Sequence, residues 1–472
     1  MSSAKIIKDS LFYGVVPKLT IFVSVITLPL ITPFLTPYDY GISGVLGSYS
    51  GLIGALLPLG LHVHLSNSFF ELPRHYNLVW GRVLGLMLVS AFLFMIANFV
   101  MLAYTIPMAF SAKLMLLCAV ASIPLLYSPN SILANHLFPL IQKPQPLVLT
   151  NLLGSVLGIL ISFVMIYFFH LGYWGLVVPA VFSGLICNQL FVKYIWKDYH
   201  IRPILDHKIK RIKWMLKVGL PLVPHGLGFM FLASSANLVM SQLHVSYDEI
   251  GLYNHGCTMG GYAVIVTSAL QTAISPQTQR AYRSNDFLGY RRLYYLCQSV
   301  ALISSICICI WMPEIYSFLI RNEELRQSCS IASLMCFSNV VMAFYGFLST
   351  PAFIEKNTPQ LLWLVFVPGV LNFMLCLIFI PLFGYRAAIY STIIAYWSQM
   401  LIPFFVKYYH QKVKIWLGSL RRIVWILIIL LIGLISGQYF SALSLRFKLL
   451  LTLVIVLAFL FVYRKKRLYE EI

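Results

Sequence analysis

From Ser10 onward the chain is a succession of long apolar runs, each about twenty residues, parted by short polar stretches. A run of that length matches a bilayer core crossed by an α-helix, and only backbones that satisfy their own hydrogen bonds can cross lipid. The runs fall near 10–36, 42–66, 82–106, 113–138, 149–170, 174–195, 216–242, 251–276, 293–313, 328–352, 360–383, 386–407, 422–442 and 446–463. They are continuous, not alternating, which excludes a β-barrel. The expectation is an all-α integral membrane protein with about fourteen transmembrane helices. Charged residues make up 10% of the 472, too few to cover such a chain in water, where a domain carries about a quarter. Pro and Gly inside several runs are tolerable because neighbouring helices can satisfy the freed backbone groups. Met1 to Ser10 is short and polar and leads directly into the first run, so no separate signal peptide is expected.

The net charge of +20 would suit nucleic acid, but its distribution points elsewhere. With the amino terminus in the cytoplasm, 27 of the 34 Lys and Arg fall on the cytoplasmic side, 6 fall outside, and Lys18 falls within the first run. The inner set includes Lys5, Lys8, Arg74, Arg82, the cluster Lys208, Lys210, Arg211, Lys213 and Lys217, and the final Arg464 to Arg467. This asymmetry follows the positive-inside rule. It predicts cytoplasmic termini, anionic membrane lipids as neighbours and no nucleic-acid partner. The nine cysteines lie mostly inside apolar runs, as in Cys307-Ile308-Cys309. None has zinc-like spacing, so they read as packing residues and no metal site is expected.

Five landmarks recur at an offset of 207 to 213 residues. Val16-Pro17 matches Val223-Pro224, and Tyr38-Asp39-Tyr40-Gly41 matches Tyr247-Asp248-Glu249-Ile250-Gly251. Arg74 matches Arg283, Ile141-Gln142-Lys143 matches Ile354-Glu355-Lys356, and Gly172-Tyr173 matches Gly384-Tyr385. An even number of spans per repeat gives both halves the same orientation. The expected organisation is two parallel, pseudo-symmetric six-helix bundles, 1–195 and 216–407, a basic cytoplasmic linker, 196–215, and two further helices within 422–463. Parallel repeats of this kind belong to transporters whose sites lie near the membrane midplane.

Leu35-Thr36-Pro37-Tyr38-Asp39-Tyr40-Gly41, Val218-Gly219-Leu220-Pro221-Leu222-Val223-Pro224 and Glu249-Ile250-Gly251-Leu252-Tyr253 carry a family likeness, as do Leu171-Gly172-Tyr173-Trp174-Gly175 and Phe383-Gly384-Tyr385-Arg386-Ala387-Ala388. Together they resemble the multidrug/oligosaccharidyl-lipid/polysaccharide exporter superfamily, and within it the bacterial O-antigen (Wzx-type) flippases. The resemblance implies a V-shaped pair of bundles in the bacterial inner membrane. It implies alternating access that carries a polyprenyl-diphosphate-linked oligosaccharide from the cytoplasmic to the outer leaflet, for O-antigen or capsule assembly. A polysaccharide polymerase and a chain-length regulator are the partners so implied. Where relatives often carry a basic residue near the end of the second helix, this chain has Leu65-Ser66-Asn67-Ser68, which leaves His62 and His64 as the cationic candidates there.

An ionisable group inside a membrane is costly and usually has a task or a partner. Lys18 sits roughly 6 Å from the middle of the first run. It is either a cation for the substrate diphosphate or a lysine reaching to the inner interface. His225 holds the repeat-equivalent place, each following a proline, and Pro17 and Pro224 are candidate hinges. His62 and His64, two positions apart, point to nearly opposite sides of a helix, so only one can face a substrate path. Glu71 and Arg74, with Arg283, form a candidate inner gate or a solvated loop. No Asp or Glu stands near the middle of any run, which suits an anionic cargo and disfavours the alternative, an ion-coupled exporter of cationic drugs. No catalytic motif or nucleotide-cradling loop is present, so neither an enzyme activity nor a cofactor is expected. Driving energy then comes from gradients: two negative charges moving outward gain about 4–5 kcal/mol at 100 mV, with H+ or Na+ as a candidate coupling cation.

Overall fold

The computed structural model describes residues 23–464 apart from 73, 107–110, 206–207, 339, 356, 418–419 and 441–442. Lys18 and Pro17 lie outside the described residues. Every regular element among these residues is a helix, and the chain forms two compact units that part after Gly251.

The first unit holds α1 (Val23–Phe34), α2 (Pro37–Leu56), α3 (His62–Glu71), α4 (Tyr76–Thr105), α5 (Ala112–Ser122), α6 (Ser128–Leu140), α7 (Pro144–Phe163), α8 (Trp174–Val192), α9 (Ile209–Gly219) and α10 (Val223–Gln242). It ends within α11 (Tyr247–Gly261). Local chemistry explains the start of α2. The N–H and hydroxyl of Thr36 donate to Asp39 Oδ2, each at 2.8 Å, and the Asp39 N–H donates back at 3.4 Å, a capping box opened by Pro37. The other carboxylate oxygen of Asp39 accepts from the Tyr173 N–H at 2.8 Å, so one acid also ties the loop before α8. Trp80, Leu84, Leu133, Phe138 and Phe191 form a buried core shared by α4, α6 and α8. Interhelical hydrogen bonds supplement packing, as expected where lipid removes the hydrophobic drive between helices. Asn98 donates to Ser50 and Ser122, at 3.1 and 2.9 Å, and Asn237 donates to Ser48 at 2.8 Å.

The second unit continues α11 and adds α12 (Val264–Arg283), α13 (Phe287–Leu319), α14 (Glu323–Arg326), α15 (Cys329–Ser338), α16 (Val341–Ile354), α17 (Leu361–Phe383), α18 (Ala387–Leu401), α19 (Lys407–Lys412), α20 (Leu420–Phe440) and α21 (Leu445–Arg464). Helix α13 is its centre, touching α12, α15, α16, α20 and α21. The last helix is fastened by a buried ion pair, Lys448 Nζ to Glu314 Oε1 at 2.5 Å, and by a 3.0 Å hydrogen bond from Trp311 to Thr452. His255 is buried against Ser328, 2.7 Å away. All nine cysteines are free, buried or half-buried.

Among the described residues, eight helices are long and apolar enough to cross a membrane, counting joined segments such as Ala112–Leu140 and Ile209–Gln242 as one. Shorter apolar helices, among them Cys329–Ser338 and Phe344–Ile354, divide runs that the sequence presents as continuous. The run 42–66 is one example. It breaks after α2 because Pro58 is followed by Leu59 and Gly60 at φ +49° and +68°, outside helical backbone.

Candidate functional site

That break is met by another. Between α9 and α10 the chain passes through a 3₁₀ turn, Leu220–Leu222, and Pro224 occupies the first turn of α10. A Cβ on Gly60 would stand 1.8 Å from the Gly219 carbonyl oxygen, and one on Gly219 would stand 2.6 Å from that of Leu59. The two interruptions therefore touch backbone to backbone. Only glycine permits it, and at Gly60 positive φ adds a second reason.

Just past Gly60 comes His62, and just past the second break comes His225. The two lie within electrostatic reach of one another. On the His62 ring stacks a third imidazole, His136 from α6, with centroids 5.5 Å apart and planes 17° from parallel. His225 meets the Phe229 ring edge-on at 5.4 Å, and its Nε2 is buried with no hydrogen-bond partner. Among the described residues, no carboxylate is among the groups whose charge bears on these three rings. Among the described residues no group of three His, Cys, Asp or Glu is arranged to hold a metal ion. The cluster offers convergent, half-buried imidazoles in apolar surroundings.

His64 takes the opposite side of α3. Its Nε2 donates to the Met215 carbonyl at 3.0 Å and its ring lies 5.0 Å from that of Trp214, so it fastens α3 to α9. Trp80 reinforces the same segment, donating to the Leu65 carbonyl at 3.0 Å. Glu71 and Arg74 are both exposed, and no ion pair joins them among the described residues. Arg283 is exposed at the end of α12, in the second unit. His136 stands outside the sequence candidates. Its signal there is the histidine within the run 113–138, and its pairing with His62 depends on tertiary packing.

The remaining polar cluster of note lies in the second unit. Glu355 accepts from Tyr282 at 2.5 Å and Tyr408 at 2.8 Å and pairs with Lys412, whose Nζ also sits 4.2 Å over the Tyr408 ring. Partial burial pushes the Glu355 carboxyl up, but the hydrogen bonds from Lys412, Tyr282 and Tyr408 outweigh it and hold the group below its ordinary 4.5. This latch joins the ends of α12, α16 and α19.

Residues 6–281 match the family model described as polysaccharide biosynthesis protein. No curated protein matches the chain. Solved structures that share the fold include the following two. One is the lipid II flippase MurJ in an inward closed conformation, with a TM-score of 0.65 and 14% identity, covering 96% of this chain and 99% of that one. The other is a multidrug resistance MATE family transporter of the MOP superfamily, facing inward, with a TM-score of 0.60 and 14% identity, covering 90% and 96%. The shared architecture is the fold of these multi-pass membrane transporters.

Proposed function

Because the chain belongs to the polysaccharide biosynthesis protein family and has the fold of the MOP superfamily, we propose that it is a flippase for a lipid-linked oligosaccharide. In this reading the cargo is a polyprenyl-diphosphate-linked repeat unit. It moves from the cytoplasmic to the outer leaflet of a bacterial inner membrane by alternating access, for O-antigen or capsule assembly. A polymerase with its chain-length regulator would then consume the product. In this reading both termini are cytoplasmic, an orientation that the distribution of Lys and Arg supports.

The observation that carries the proposal is the imidazole cluster of His62, His136 and His225, with no carboxylate beside it. A diphosphate brings two negative charges into the membrane and needs cations that do not already hold an internal anion. Histidines meet that need, since each takes a proton when the anion arrives and gives it up afterwards. Lys18, near the start of the chain, would add a fixed charge. An inward-moving H+ or Na+ would supplement the membrane potential. Helix interruptions at Gly60 and Pro224, beside the cluster, supply the joints about which α3 and α10 can tilt.

The test is translocation of a fluorescent polyprenyl-diphosphate oligosaccharide in proteoliposomes. His62→Ala, His136→Ala and His225→Ala are each expected to slow it at least tenfold, with melting temperatures near that of the wild type. Folded wild type that fails to move any such lipid, yet exports a cationic dye, would sink the proposal in favour of drug export. Unchanged rates in all three variants would remove the cluster from the path.

A further inference from the structure

At the end of the second unit where Arg280, Arg283, Arg291 and Lys412 gather, α17 begins and α18 ends. Pro403, in the 3₁₀ turn Ile402–Phe404 that follows α18, bends the chain out of the helix, and α19 starts afresh at Lys407. A cleft of about 710 Å³ is left between this bend and the first turns of α17. Its lining has an apolar part, Trp363, Val367, Ile402 and Phe405, and a polar part at the start of α19, Lys407 and Tyr408.

The apolar and polar parts of the lining make different demands on an occupant. Phe405 is 83% exposed and Trp363 47%, a large apolar surface that water would disfavour and hydrocarbon would cover. Aromatic rings beside a basic end mark the level of lipid headgroups. Lys407 is exposed, and no ion pair engages it among the described residues. The carboxylate close by in the fold, Glu355, is already taken by Lys412, Tyr282 and Tyr408, the last of these lining the cleft. The latch thus leaves Lys407 as an uncompensated cation above an apolar groove. The volume suits a headgroup and the upper part of its chains.

We propose that this cleft is a binding site for an anionic phospholipid of the leaflet at the basic end. The phosphate meets Lys407 and the acyl chains lie along Trp363, Val367 and Phe405. A zwitterionic lipid fits the walls equally well, but its own cation opposes Lys407, so charge decides the selection. The assignment does not depend on what the protein carries across the membrane.

The experiment is native mass spectrometry of the full chain, released from micelles containing equal amounts of phosphatidylglycerol and phosphatidylcholine. Wild type is expected to retain phosphatidylglycerol at least fivefold over phosphatidylcholine. Lys407→Ala should erase that preference, and Lys407→Arg should keep it. Trp363→Ala should weaken retention of both lipids while leaving their ratio intact. Equal retention by wild type overturns the proposal, as does a preference untouched in Lys407→Ala but lost in a Lys210, Lys213 and Lys217 to Gln variant of α9. Displacement of the bound lipid by an equimolar polyprenyl diphosphate, dependent on Lys407, also overturns it, because the cleft would then serve the lipid-linked cargo. Melting temperatures taken alongside separate lost binding from lost fold.

Discussion

Two histidines separated by one valine illustrate how much a single turn of helix decides. His62 stacks on His136 beside His225, whereas His64 is 5% exposed and spends its ring on Met215 and Trp214. That they face different ways is legible from helical period alone. Which of them meets other imidazoles is not, because that depends on α6 and α10 arriving from 74 and 163 residues away (136 − 62 and 225 − 62). Glu355 is a further residue whose role emerges only in the fold, since its partners come from two helices distant in sequence, Tyr282 from α12 and Tyr408 and Lys412 from α19. Its carboxyl is held below 4.5, so its contribution to stability is complete above that pH and fades as pH falls through the lower folded value. In detergent, the wild-type melting temperature should therefore drop more steeply below pH 4.5 than that of Glu355→Gln, which begins lower at pH 7. Parallel curves for the two proteins would show that the latch contributes no stability.

Among elements, the runs were legible and their interruptions were not. Apolar length announces a span whether the backbone inside is straight or broken, so 42–66 and 328–352 read as single helices while the chain builds α2 with α3 and α15 with α16. Pro58 and Gly60 mark the first break in the sequence, but prolines also stand inside unbroken helices, such as Pro368 in α17 and Pro313 in α13. The same composition thus serves both outcomes, and the neighbour at Gly219 decides. The attachment of α21 is likewise a tertiary matter. Lys448 is 1% exposed and relies on Glu314, itself about a third exposed. Glu314→Gln should strand a buried ammonium and cost about 3 kcal/mol, whereas the double variant with Lys448→Met should recover most of that loss. Chemical unfolding of the single and double variants measures both, and equal destabilisation by the two would argue against the pair.

At the scale of the whole molecule, one pair of the landmarks read as repeated lies in contact. Helix α2 runs alongside α10, where Tyr49 bonds Ser241 at 2.9 Å and receives Gln242 at 2.8 Å. Beyond this, the two outer-loop motifs of the repeat meet each other. A Cβ on Gly41 would stand 1.9 Å from the Tyr247 carbonyl oxygen, and one on Gly251 would stand 1.7 Å from that of Pro37. The likeness of the two motifs is legible in the sequence, but not that they press together, because an offset in number carries no distance. Gly41→Ala and Gly251→Ala should each destabilise the first unit by about 1–3 kcal/mol. Their double variant should cost less than the sum, since either substitution already parts the same contact. Thermal unfolding of the three variants checks this, and strict additivity would mean two independent sites. The contact has a genetic corollary as well. Every single-base change that alters a glycine codon's meaning either installs a side chain or ends the reading frame, so these two positions have no conservative neighbour in mutational space. A random-mutagenesis screen for lost surface polysaccharide should accordingly collect hits at Gly41 and Gly251 as readily as at the histidines.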